Sequence, residues 1–212
     1  MSDDLEALLE WIELKDERRT GWELRNVDAP ESVAAHTWGT ATLCLLYADE
    51  VGVDIDRDRA VAMALVHDLG EARTGDVATR ADAGQQRVSP AEKEAAERDA
   101  VTDLTEPFED RSVPLCSLWE EYEDRETATA RFVKDMDLID NCLQALKYER
   151  TARYEERDSN EHFDEFDGLD EFFATAVGRL RTDIGKSLFE RIKTQYEDEI
   201  GRSCQLSGGE SA

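Results

Sequence analysis

Val61-Ala62-Met63-Ala64-Leu65-Val66-His67-Asp68-Leu69-Gly70-Glu71-Ala72-Arg73-Thr74-Gly75-Asp76 is an apolar, alanine-rich run that ends in a histidine, an aspartate, a glutamate and a second aspartate. Val61, Ala62, Leu65, Val66 and Leu69 recur at helical spacing, which predicts a helix over about 57–69 with a broad buried face. On such a helix His67 and Glu71, four residues apart, share one side. Asp68 lies about 100° round from His67, close enough to share a site. Gly70 and Gly75 let the backbone bend towards whatever the polar groups hold. Burying such groups beside an apolar face is costly unless they are paired, and a divalent cation would pair them. A single His-Asp pair also arises by chance, so the rest of the chain must supply more ligands.

The flanking segments read as helices joined by polar connections. Residues 3–14 place Leu5, Leu8, Leu9 and Ile12 on one face, with Ser2 as a cap. Residues 15–30 form a polar connection dense in functional side chains: Arg18, Arg19, Trp22, Arg25 and Asn26. Trp22 and Leu24 read equally well as plugs at the edge of the core. Pro30 and Ser32 start a helix over about 31–51 that contains His36 and stops at Gly52. Residues 73–88 read as loop, and Ser89-Pro90 caps an exposed helix over about 90–104. A short helix follows over 112–123. A long one over about 127–150 sets Phe132, Met136, Ile139, Leu143 and Leu146 towards the core, with Val133, Asp137, Asp140 and Gln144 along its flank. Residues 151–168 read as a polar linker in which His162 is an exposed surface residue. Two closing helices, about 168–180 and 182–200, precede a frayed tail over 201–212. Without strand-type alternation, internal repeats or a Gly-rich phosphate loop, the expectation is an all-α, compact single-domain bundle over residues 1–200.

Composition narrows the partners. The 212 residues carry a net charge of −26, with acidic side chains spread along the whole chain and only six lysines. Such charge on a regularly patterned chain predicts a solvated acidic surface of the kind halophiles use. It disfavours long nucleic acid and anionic membranes. No apolar run reaches the roughly 20 residues of a transmembrane span and no signal peptide is visible. Cys44, Cys116, Cys142 and Cys204 lack paired zinc spacing, so reduced thiols in a cytoplasmic protein are expected.

His36, His67, Asp68 and Asp137 together make a candidate metal set of two imidazoles and two carboxylates from three helices. A mixed N/O set suits Mn²⁺, Co²⁺, Fe²⁺, Ni²⁺ or Zn²⁺ better than Mg²⁺. One divalent ion with four protein ligands keeps positions open for water and a substrate oxygen.

The order H…HD…D resembles the HD-domain metal-dependent phosphohydrolases. The resemblance extends to Trp22-Glu23-Leu24-Arg25-Asn26-Val27, to Pro30-Glu31-Ser32-Val33 before His36, to Leu65-Val66-His67-Asp68 with Glu71 and Thr74-Gly75-Asp76, and to Phe132-Val133-Lys134 before Asp137. Across about residues 5–150 the chain is similar to the 5′-deoxynucleotidase branch, with the metal-site core over about 20–150 and the closing helices over about 168–200. The resemblance implies the helical HD fold, a divalent metal held by His36, His67, Asp68 and Asp137, and a homodimer. It also implies hydrolysis of deoxyribonucleoside 5′-monophosphates. Glu71 takes the place of the family's catalytic carboxylate, and Asp76 that of its sugar- and water-facing carboxylate. Arg19 and Trp22 take substrate-contacting roles, with Arg18 as a substitute for Arg19. Alternatives are another HD-type chemistry, such as a triphosphohydrolase or phosphodiesterase, or a non-catalytic nucleotide- or metal-binding module.

Overall fold

Side-chain caps start most of the longer helices. The structure is a computed structural model and describes residues 4–81, 86, 88–154 and 166–207. After α1 (Asp4–Ile12) and α2 (Thr20–Leu24), the Ser32 hydroxyl accepts the Ala35 N–H to open α3 (Val33–Tyr47). Asp56 caps α4 (Arg57–Val66), which is followed by the single turn α5 (Glu71–Thr74). Ser89 and Glu92 form a reciprocal capping box, with Pro90 in the first turn, at α6 (Pro90–Thr105). Next come α7 (Leu115–Asp124), then α8 (Ala128–Arg150), capped by Thr127, then α9 (Asp170–Val177) and α10 (Asp183–Ile200), capped by Thr182. Among the described residues the only β-type pairing is an isolated bridge between Arg18 and Ser32.

The long helix α8 is the hub, packed against α3, α4, α7, α9 and α10. It buries Phe132, Val133, Met136, Ile139, Cys142, Ala145 and Leu146. It also buries the charged Asp135 and Asp137, so it is enclosed on more sides than its apolar stripe alone. Leu143 departs from the expected stripe: it is 38% exposed and lines a shallow groove with α3 and α10. A second cluster joins Leu14, Val33, Leu69, Val101, Leu104 and Trp119.

Four readings of the sequence are corrected. The buried residues of α4 are Ala60, Met63, Ala64 and Val66, continued by His67 and Leu69, so Val66 and Leu69 lie inward as expected whereas Leu65 is 56% exposed. The two alanines leave room for a close neighbour, so the helix is rotated and turns His67 inward. The helix also stops at Val66, and residues 67–70 wind through tighter bonds, Leu69 N–H to Val66 O and Glu71 N–H to Asp68 O. Helix α6 is exposed on one side only: Glu97, Ala100, Val101, Leu104 and Thr105 form a buried face, while Ala95 and Ala96 are exposed as expected. Conversely, Leu5, Leu8, Leu9 and Ile12 of α1 face outward, and only Ala7 is buried.

The chain after α10 is anchored as far as it is described. Cys204 is buried, its N–H donates to Glu197, and the Gln205 N–H donates to Asp170. His162 lies outside the described residues. All four cysteines are free thiols; Cys44, Cys142 and Cys204 are buried and Cys116 is half-buried. Among the described residues no helix is long and apolar enough to cross a membrane.

Candidate metal centre

Two imidazoles, each with one nitrogen already committed, define the centre. His36 comes from α3, and its Nδ1 lies 2.8 Å from Asp140 Oδ2 on α8. That contact needs Gly39, because a Cβ there would lie 2.0 Å from Asp140 Oδ1. The Nδ1 of His67 lies 2.7 Å from the Ala64 carbonyl, which can only accept, so this nitrogen carries the proton. A carboxylate likewise takes the Nδ1 proton of His36. Each ring therefore turns the lone pair of Nε2 towards the other elements of the site.

Both Nε2 atoms are buried and have no hydrogen-bond partner. Asp68 Oδ2 lies 3.2 Å from His67 Nε2 and 3.8 Å from His36 Nε2. Asp137 Oδ1 lies 3.1 Å from His36 Nε2. His36, His67 and Asp68 offer ligand atoms within 4.8 Å of one another, and Asp137 joins through His36. Donors spaced this way fit round an ion with bonds of about 2.0–2.2 Å. Orphaned imidazole nitrogens facing carboxylates are the arrangement a divalent cation would satisfy.

Electrostatics separates the carboxylates. Burial pushes Asp68 up, but His67, Arg19 and His36 outweigh it and hold its carboxyl well below the usual range. Asp137 is likewise held low against its burial by Lys134 and His36. Glu71 goes the other way: burial, then Asp68 and Asp76, raise it well above the usual range. Two carboxylates kept ionised beside one inclined to hold a proton is the split expected of ligands and a proton carrier. Burial and Arg19 oppose protonation of His36, but the adjacent carboxylates of Asp137 and Asp140 raise it to about 10, so a cation takes the Nε2 lone pair by displacing a proton.

The expected substrate residues separate. Arg19 enters the site: its guanidinium lies 2.8 Å from Asp76 Oδ1, 3.3 Å from Asp68 Oδ2 and 3.3 Å from Asn141 Oδ1. Arg18 points away and donates to the Pro30 carbonyl. Asp76 receives the Thr20 N–H on Oδ2 at 2.7 Å, so it ties its loop to α2 and aims Arg19. Trp22 is buried, stacked on Phe172 at 3.7 Å, with Nε1 donating to Glu31, and it lines the cleft from within the core.

Sequence reasoning missed several members. Asp140 was placed on the flank of α8 without its role of orienting His36. Tyr122 and Lys134 both reach Asp137 Oδ2, at 2.6 and 2.7 Å, while Oδ1 faces His36 and accepts from Asn141 Nδ2 at 3.3 Å. Lys93 Nζ lies 3.3 Å from Glu71 Oε1. The scarcity of lysine was a usable signal: two of only six line this cleft. The cleft holds about 820 Å³ of empty space, its open mouth included, and runs from Asp68 and Asp137 to Phe172, Thr175 and Arg179.

A family model described as HD domain matches residues 12–176. The chain is 41% identical to the protein named 5′-deoxynucleotidase HDDC2 of Bos taurus over 200 residues, covering 94% of this chain and 85% of that one. It is 33% identical to the protein of the same name from Dictyostelium discoideum, covering 92% and 98%. Among solved structures, a conserved hypothetical protein from Pyrococcus furiosus aligns with a TM-score of 0.66 and 31% identity, covering 90% of this chain and 98% of that one.

Proposed function

The chain belongs to the HD-domain family, and from that premise we propose that it hydrolyses deoxyribonucleoside 5′-monophosphates to a deoxynucleoside and phosphate. The observation that carries this reading is the pair of orphaned imidazole nitrogens facing Asp68 and Asp137 at the floor of a cleft that also holds Arg19. Relatives named as 5′-deoxynucleotidases over most of their length support the substrate class.

His36, His67, Asp68 and Asp137 would hold one divalent ion, with Mn, Co, Fe, Ni or Zn suited to the donors better than Mg. When bound, the ion supplies positive charge that polarises the phosphoryl group and makes a nearby water more acidic. Glu71, whose raised proton affinity makes its ionised form the strongest base among these carboxylates, takes a proton from the attacking water as the water oxygen bonds to phosphorus and the bond to the 5′-oxygen breaks. The proton that Glu71 takes from water passes on to the departing 5′-oxygen, so the alcohol and phosphate form with no net change in protons. Arg19, aimed by Asp76 and Asn141, binds the phosphoryl oxygens as their charge redistributes. Asp76 faces the sugar, and Trp22 supports the cleft wall.

Three further features belong to the same reading. Residues 1–200 act as one domain. Exposed Trp38, Leu45 and Leu46, with half-buried Thr42, form one stripe on α3 and support a homodimer. The free thiols and the −26 charge support a cytoplasm, and one of high salt.

The deciding experiment measures phosphate release from deoxy- and ribonucleoside mono-, tri- and cyclic phosphates with Mn²⁺, Co²⁺ or Mg²⁺ in molar KCl. Preferential release from the deoxyribonucleoside 5′-monophosphates is expected. Preference for triphosphates or cyclic esters, or no release at all, overturns the assignment.

A further inference from the structure

Glu71 has to present one carboxylate oxygen in one direction to act on water, and its own torsion does not secure this. The terminal torsion of a glutamate is broad and roughly two-fold. Productive geometry demands about 0.5 Å and 10–20°. Something outside α5 must select the oxygen.

The structure supplies a candidate from α6. Lys93 Nζ lies 3.3 Å from Glu71 Oε1, while Glu71 Oε2 is buried, has no hydrogen-bond partner and lies 3.9 Å from Arg19. The two oxygens are thus unequal before any ligand arrives. Lys93 is itself held from behind by Glu97, one helical turn on, at 3.3 Å. The position of α6 is set at the same place. A Cβ on Gly70 would lie 3.0 Å from the Glu97 Cβ and 3.1 Å from its backbone, so α6 rests directly on the turn that carries Glu71. Lys93 and Glu71 both line the cleft. Few lysines serve this acidic chain's surface, so the placement of one here is notable.

We infer that Lys93 is a positioning residue for the hydrolysis, holding Oε1 of Glu71 so that Oε2 is the oxygen presented to the attacking water, with Glu97 as its outer anchor. The inference rests on the proposed nucleotidase reading and assigns Lys93 no contact with substrate or metal. Removing the ammonium lets the carboxylate turn, so the effect falls on turnover and not on substrate or metal binding. Misplacement of a reacting group by about 1 Å costs roughly 10²-fold, which sets the scale.

The test compares wild type with Lys93→Met and Lys93→Arg on a deoxyribonucleoside 5′-monophosphate, with a calorimetric Mn²⁺ titration and a thermal melt of each variant. Lys93→Met is expected to lower kcat about 10- to 100-fold with KM and Mn²⁺ affinity within about threefold. Lys93→Arg, which keeps a cationic donor, is expected to recover part of the loss. Unchanged kcat in a folded Lys93→Met variant overturns the inference alone. So does a loss confined to KM, which would make Lys93 a phosphate ligand, or a matching loss of Mn²⁺ affinity. A variant that does not fold overturns it too, because Lys93 would then be structural. If wild type releases no phosphate from any deoxynucleotide, the nucleotidase reading fails and the inference falls with it.

Discussion

His36 and His67 each spend one ring nitrogen on a fixed acceptor, Asp140 or the Ala64 carbonyl, and leave the other unsatisfied. The consequence for single substitutions is a clean division. Asp68→Ala is expected to abolish Mn²⁺ binding by calorimetry, because it removes the carboxylate that lies within 4 Å of both Nε2 atoms. Glu71→Ala is expected to keep the ion and lose turnover; near-normal turnover would remove Glu71 from the mechanism. Tyr122→Phe leaves Asp137 Oδ2 to Lys134 alone, and should weaken Mn²⁺ about 10-fold, as loss of a ligand's own partner typically does. Glu97 gives a pH signature. Burial raises it from an ordinary 4.5 to about 7, so between those values the folded protein keeps a proton that the unfolded chain has released. Its contribution to stability is therefore present below about 4.5 and lost as pH rises through about 7. Glu97→Gln should accordingly raise the melting temperature relative to wild type more at pH 8 than at pH 5.

At the scale of elements, close approach decides what the site contains. Helices α3 and α8 meet where Gly39 faces Asp140, and any side chain there would displace the carboxylate that orients His36. Gly39→Ala is expected to destabilise the fold by about 1–3 kcal/mol and also to weaken Mn²⁺ binding. Melting and titration together check it, and an unchanged ion affinity would separate Asp140 from the site. Helix periodicity located α3, α4, α6, α8 and α10 to within a few residues, because caps at Ser32, Asp56, Ser89, Thr127 and Thr182 are written locally. Periodicity placed Val66, Leu69 and most of the α8 stripe inward, as they are, but misjudged Leu65. Both Met63 and Leu65 are apolar, and only the small Ala60 and Ala64 beside Met63 admit a neighbouring helix. The same limit applies to α1, whose leucines make a regular stripe and yet face outward.

For the whole molecule, charge is the dominant unspent term. A net −26 on 212 residues repels itself, so the melting temperature is expected to rise as KCl is added towards molar concentration. A flat response would count against a high-salt origin. Ion binding is linked to folding as well: Mn²⁺ at about 100 times its dissociation constant should add about 2.7 kcal/mol of stability, removable by chelator. If the proposed homodimer forms through the exposed α3 stripe, light scattering should give a dimer mass for wild type and a monomer mass when Trp38 is replaced by aspartate; a monomeric wild type or an unchanged dimer counts against that interface.

From the sequence alone came the all-helical class, the ligand types and their order, and the acidic surface, since each depends on residue identity or on spacing within one helix. His36, His67-Asp68 and Asp137 were legible because few side chains bind such ions and each sat near an apolar face. Only the packed molecule selected Arg19 over Arg18, Nε2 over Nδ1, and the company of Asp140, Tyr122, Asn141 and Lys93. The reason is distance along the chain: Arg19 meets a carboxylate 57 residues away, and Glu71 meets a lysine 22 residues away. Which helix rests on which, and at what rotation, is settled by the sizes of the side chains between them. No single helix carries that information.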